Sequence, residues 1–452
     1  MKFWRTSAGQ MSWHRILWAG ALVVSFLLCA AAAYRGGYVG PDYNVHVARL
    51  RDPTRFFDFS HSSPPIYDFV GHAIYRIVGP KTAFPITLAI IQAAVNTVAL
   101  WWFFLYTERR FKSPVLHLAL VFFVTFLPVR MIHSVTSGAD WLTIPVFVLL
   151  LFVLERFRSA ETSTPKKAAL LGLVLGLGIW SKYSFMALIP AIFVIFVFLW
   201  WKRGWSLQRF VAICALSLIL PTALVYHSYW ASARAKNSVA TTVWLPKGGA
   251  PGQPDMSWRE LFWVKTADLQ LFKAPEYFKK EILAAHKHSY LGLVHLGTFA
   301  DTMNIFQDLP GSHSIDRILI PDLKTRRPWK TPVMAASVCL GALWTVLALL
   351  GTAWLFFGAL RRLWRDKLER EDAAVFMGIP YFLLLFLALP FVYSGALGGG
   401  WTPRLILVPL LCFFWAGFLL LDRTVGAKWP KSAFLVLTLV VIQCGIEIVM
   451  LS

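Results

Sequence analysis

The side chains able to do chemistry in this sequence cluster near the ends of apolar runs: Asp42, His61, Asp140, Lys182 and Arg404. Asp42 sits in GPDYNVHVARLR, with His46 four residues on and Arg49 at i+7. A helix there puts all three on one face. A carboxylate beside a histidine and an arginine stays ionised and can accept a proton. Pro-Asp before a helical run is also ordinary N-cap chemistry, so Asp42 is either a general base or a cap. Tyr43 and His46 line the same stretch. His61-Ser62-Ser63-Pro64-Pro65-Ile66-Tyr67 is a polar, rigid turn. It suits a head-group site, or it simply redirects the chain. Asp140, in SVTSGADW, stands at the start of an apolar run, as a functional acid or as that helix's cap. Lys182 closes LLGLVLGLGIWSK. A cation there can meet a lipid phosphate, or snorkel to the membrane surface. Arg404 follows GGGWTP, and flexible glycines before an arginine suit a phosphate clamp.

The elements that must position these residues are membrane helices. Of 452 residues, 57% are hydrophobic and 15% aromatic, while only 15% are charged. An ordinary soluble domain is about 25% charged, so this composition excludes a soluble globule; the aromatic content excludes a disordered chain. Eleven stretches are long and apolar enough to be candidate spans: roughly 14–34, 84–106, 115–131, 141–154, 169–182, 184–201, 210–228, 332–358, 375–393, 404–421 and 432–451. The expected fold is an all-α polytopic membrane bundle of about eleven helices. The first run is long for a signal peptide and is read as a retained helix. Gly172 and Gly176 form a G-x-x-x-G packing face.

Orientation follows from the basic residues. With the N-terminus in the cytoplasm, the six inside segments hold 21 of the 44 Lys and Arg. The short outside turns hold almost none, with Arg130, Lys182 and Arg404 at helix ends. The net charge of +21 divides into +13 inside and +8 outside. It therefore reads as a topology signal, and nucleic acid is not an expected partner. Asp42, His61, Asp140, Lys182 and Arg404 then all fall on the outer side, on four separate segments.

Two outside segments exceed mere connections: 35–83 after the first span and 229–331 after the seventh. The chain divides into an N-terminal module, 1–228, a loop region, 229–331, and C-terminal helices, 332–452. In the first loop, 66–78 reads as an interfacial helix carrying Tyr67 and Tyr75. In the second, 275–288 is a plausible helix, and 288–306 is apolar enough to touch the membrane surface.

The five cysteines lie singly in apolar stretches, with no zinc or disulfide pattern. There is no G-x-x-x-x-G-K-[ST], H-E-x-x-H or G-x-S-x-G. ATP hydrolysis, zincin proteolysis and serine-hydrolase chemistry lack support.

The order and sidedness of these motifs resemble the GT-C glycosyltransferases, in particular bacterial relatives of protein O-mannosyltransferases and lipid A aminoarabinose transferases. Asp42 stands where that family has an acid in its first outer loop, and Tyr43 replaces its frequent second acid. His61 to Tyr67 resembles its His/Pro-Pro/aromatic motif, and Asp140 the acid opening its fourth span. LLGLVLGLGIWSKYSF, 170–185, is similar to its glycine-rich stretch ending in lysine, and TPRLILVPLL, 402–411, to its late arginine-containing span. The resemblance covers roughly 14–230 well and 375–425 loosely. It implies a polyprenyl-phosphate-linked sugar donor, a lipid, glycan or protein acceptor, and transfer on the outer, periplasmic or extracellular face of a bacterial inner membrane. It further implies Asp42 as general base of an inverting displacement, Lys182 and Arg404 on the donor phosphate, and Asp140 and His61 orienting acceptor or base. Tyr43, His46 and Tyr67 would line the site. This mechanism requires no metal or other cofactor, and the sequence offers no ligand cluster.

Two rivals remain. A polymerase or ligase of the O-antigen type shares many spans, a large outer loop and lipid-linked sugars. A transporter or flippase needs ionisable groups near mid-membrane. The expected spans have nearly charge-free centres, Glu447 near one end being the exception.

Overall fold

The computed structural model describes residues 13–36, 65–79, 83–136, 138–158, 165–235, 289–300, 329–365, 406–426 and 429–451, with a few positions between 266 and 383. Every regular element among them is helical. In chain order these are α1 Trp13–Tyr34, α2 Pro65–Val78, α3 Ala83–Glu108, α4 Pro114–Phe126, α5 Pro128–Val135, α6 Thr143–Arg158, α7 Pro165–Ser181, α8 Leu188–Arg203, α9 Leu207–Ala235, α10 Tyr290–Phe299, α11 Lys330–Trp364, α12 Leu407–Leu421 and α13 Pro430–Leu451. Short 3-10 turns, Ala139–Leu142 and Tyr183–Ala187, precede α6 and α8.

Seven helices among the described residues are long and apolar enough to cross a membrane, or eight if the bent pair α4–α5 is one span. The chain is an all-helical polytopic membrane protein. The expected count of eleven is not confirmed among the described residues. Helices α6 and α7 form where spans four and five were expected, but have only 16 and 17 residues. The expected span 375–393 lies almost wholly outside the described residues, as does the expected helix 275–288. The interfacial helix expected over 66–78 is α2, whose Phe69 and Ile77 are exposed. Part of the stretch expected at the membrane surface is α10, which packs against α5 and α11 and buries Val294, Leu296 and Phe299.

Helices α4 and α12 are the posts of the bundle. Nearly every residue of each is buried, as a helix apolar all round requires. The remaining spans surround them and expose large apolar side chains such as Leu27, Val194, Ile219 and Leu435. That is the surface lipid tails demand. Phe123 of α4 touches Phe299, Trp344, Phe414 and Phe418, and Trp344 stacks on Phe418 with centroids 5.5 Å apart. One aromatic cluster thus ties α4, α10, α11 and α12.

Small residues set the closest helix approaches. A Cβ on Gly172 would lie 2.4 Å from Leu216 O, and one on Gly176 3.1 Å from Leu224 Cδ1. The G-x-x-x-G face therefore packs α7 onto α9. Ser217 Oγ donates to Ala168 O across the same contact, at 3.1 Å. Gly351 and Gly417 bring the backbones of α11 and α12 together in the same manner.

The span expected at 115–131 is broken. Pro128 lacks a donor and disfavours the α conformation of Leu127, so the chain bends by 47° between α4 and α5. The bend carries Arg130, expected at a helix end, into the interior, where it is 1% exposed. Its guanidinium donates to Ser25 of α1, whose hydroxyl donates to Thr125 O at 3.2 Å. Glu447 of α13 is also fully buried. Gln443 Nε2 donates to Glu447 Oε1 at 2.6 Å and to Ser337 Oγ of α11 at 3.0 Å.

Candidate functional site

Two turns at the same end of the bundle build the site. The first joins α5 to α6 and carries Asp140 in its 3-10 segment. The second joins α7 to α8 and begins at Lys182, whose extended backbone leaves the helix. Lys182 N–H donates to Gly178 O at 2.7 Å, and its carbonyl accepts from Phe185 N at 3.1 Å. Gly178 permits this tight reversal, because a Cβ there would meet the Phe185 ring at 2.9 Å and Val146 at 3.3 Å. Helix α7 packs beside α6, which brings the two turns together.

There the Lys182 ammonium forms an ion pair with Asp140 Oδ1. The side chains are 15% and 10% exposed, so the pair is shielded from bulk water without being sealed from it. A carboxylate so held cannot swing away, and it fixes the cation that holds it.

The turn bearing Asp140 is gripped from behind by two amides of α3. Asn96 Nδ2 donates to Trp141 O at 3.0 Å. The Gln92 amide orients by the needs of its partners: the nitrogen donates to Thr136 O and the oxygen accepts from Trp141 Nε1, both at 3.3 Å. Thr143 Oγ1 donates to Asp140 O at 2.6 Å, closing the first turn of α6. Tyr67, in the first turn of α2, is buried and packs with Phe84, Leu88, Trp141 and Leu142. Helix α2 also touches α7, so it lies against both halves of the site.

Of the residues singled out in the sequence, Asp140, Lys182 and Tyr67 are thus gathered at one end of the bundle. Asp42, Tyr43, His46, His61 and Arg404 lie outside the described residues. Gln92, Asn96 and Asp68 were not singled out. Asp68, next to Tyr67 in α2, is completely buried, an unusual place for a carboxylate. A signal for the two amides was present: Gln92 and Asn96 are polar residues four apart inside an apolar span. Among the described residues, no group of three or more His, Cys, Asp or Glu is arranged to hold a metal.

Fold and site together define a polytopic helical membrane protein with a shielded acid–lysine pair at one end of its bundle. Residues 62–230 match the sequence profile of the family described as dolichyl-phosphate-mannose-protein mannosyltransferase. The match covers a little over a third of the chain and includes Tyr67, Asp140 and Lys182. Among solved structures the chain is similar to the archaeal oligosaccharyltransferase AglB from Archaeoglobus fulgidus in complex with an inhibitory peptide and a dolichol-phosphate. The TM-score is 0.47 at 11% identity, covering 97% of this chain and 56% of that one, so this chain spans little more than half its length. No curated protein matches the chain.

Proposed function

We propose that this protein is an integral membrane glycosyltransferase of the GT-C type, which moves a sugar from a polyprenyl-phosphate carrier to an acceptor hydroxyl. The observation that carries the reading is the Asp140–Lys182 pair, which lies within the segment matching the mannosyltransferase profile. A transferase of this kind must hold an anionic lipid phosphate, and an ammonium held in place at one end of the bundle can donate to it. With Asp140 ionised the pair has no net charge. Lys182 therefore contributes placement, and Arg404 supplies the net positive charge the phosphate needs. Asp42 takes the proton of the acceptor hydroxyl as its oxygen attacks the anomeric carbon. The bond from that carbon to the phosphate oxygen breaks on the opposite face, inverting the centre, and the lipid phosphate leaves with the electron pair. His61 orients the acceptor or the base. The site faces the periplasmic or extracellular side of a bacterial inner membrane, with the N-terminus in the cytoplasm.

The test is transfer of radiolabelled sugar from a polyprenyl-phosphate donor by the purified protein in detergent. Asp42→Asn should abolish turnover and leave donor binding near the wild-type value. Wild-type turnover in that variant would remove Asp42 as the base.

A second reading, a transporter, draws on one observation: Arg130 and Glu447 are ionisable groups buried within the bundle. Substrate uptake by proteoliposomes that is lost in Glu447→Gln and retained in Asp42→Asn would favour it over the transferase.

A further inference from the structure

We infer that Gln92 and Asn96 are positioning residues: two amides one helical turn apart on α3 clamp the 136–141 turn and so set the Asp140 carboxylate against Lys182. The inference rests on the transferase reading. Both amides are essentially unexposed, at 0% and 1%. They reach opposite ends of the turn, Thr136 O before the acid and Trp141 O and Nε1 after it. Thr136, Asp140 and Trp141 are themselves buried. Backbone carbonyls in such surroundings have little water to turn to, so their donors must come from side chains. Two residues fill that need here with a spacing that only a helix face provides.

A carbonyl donor alone would make Gln92 and Asn96 structural. Their placement argues for more. The clamped turn is six residues long, 136–141, and Asp140 is its one charged side chain. The turn is held by hydrogen bonds to both ends, while the acid between them is left to meet Lys182. A catalytic group displaced by about 1 Å can cost about 10²-fold in rate, so the clamp is where such precision is set.

The experiment uses the full chain in detergent and two near-isosteric variants: Gln92→Met, which removes the bonds to Thr136 O and Trp141 Nε1, and Asn96→Leu, which removes the bond to Trp141 O. Hydrogen exchange of peptides covering 136–143 is followed by mass spectrometry, alongside kcat and KM for the polyprenyl-phosphate sugar. Each variant should exchange this segment about tenfold faster or more. It should lose about 10–100-fold in kcat and keep KM for the donor within about threefold. Gln92→Glu, whose neutral acid reproduces both bonds, should recover most of the loss. Unchanged exchange, unchanged kcat, or a loss confined to KM would each overturn the inference. Failure of both variants to give monodisperse protein would overturn it too, in favour of a purely structural role. Faster exchange in the variants of a protein whose wild type transfers no sugar would leave the clamp standing and sink the transferase reading.

Discussion

Lys182 and Asp140 form an ion pair across forty-two residues of sequence, joining the turn after α5 to the turn after α7. The pair couples the two turns. Single substitutions should therefore cost more than the double. Asp140→Asn or Lys182→Met breaks the ion pair and leaves one charge of it in the shielded site, at a cost of about 3 kcal/mol. Combining them should restore much of the thermal stability while leaving transfer activity lost. Additive shifts in melting temperature would mean that the two residues are uncoupled.

The ion pair at the opposite end of the bundle supplies a contrast. Glu108 of α3 accepts from Arg15 Nη2 at 2.8 Å and Nε at 3.2 Å, and its Oε1 lies 3.1 Å from His14 Nε2. These side chains are 18–32% exposed. Glu108→Gln should cost less than about 1 kcal/mol, because partly solvated pairs repay little. Sugar transfer should be unchanged, and a large loss of turnover would show that this end of the bundle also takes part.

Burial reverses that expectation for the Arg130–Ser25 contact. Ser25→Ala removes the hydroxyl that accepts from the buried Arg130 guanidinium and donates to Thr125 O, and should cost about 1–3 kcal/mol. An unchanged melting temperature would mean that this link does not hold α1 to the bend between α4 and α5.

Glycine substitutions test the packing directly. Gly172→Ala forces a methyl against the Leu216 carbonyl and should destabilise the protein by about 1–3 kcal/mol. A Cβ on Gly20 of α1 meets nothing within 4 Å, so Gly20→Ala should be neutral or stabilise by up to about 1 kcal/mol. Thermal unfolding in one detergent ranks the two, and equal melting temperatures would mean that the α7–α9 contact tolerates widening.

The sequence already marked Asp140 and Lys182, because a charge closing an apolar run stands out against its neighbours. Their pairing was not legible, since it depends on how α6 and α7 lie side by side. Gly172 and Gly176 were readable as a packing face from spacing alone. Arg130 misled for a local reason: counted along an unbroken span it falls at the end, and only the bend at Pro128 turns it inward. Gln92 and Asn96 escaped because uncharged amides barely lower the hydropathy of a long apolar run. Their role appears only once the turn they hold is in place.

The polar patch on α13 also bears on how the last helix is seated. Gln443 and Glu447 stand one turn apart in an otherwise apolar helix, and Gln443 ties both to Ser337 of α11. Apolar side chains alone would let such a helix rotate about its axis at little cost, whereas a buried amide and carboxyl have one direction in which their hydrogen bonds are met. The patch therefore acts as a key that fixes the rotation and depth of α13 against the bundle.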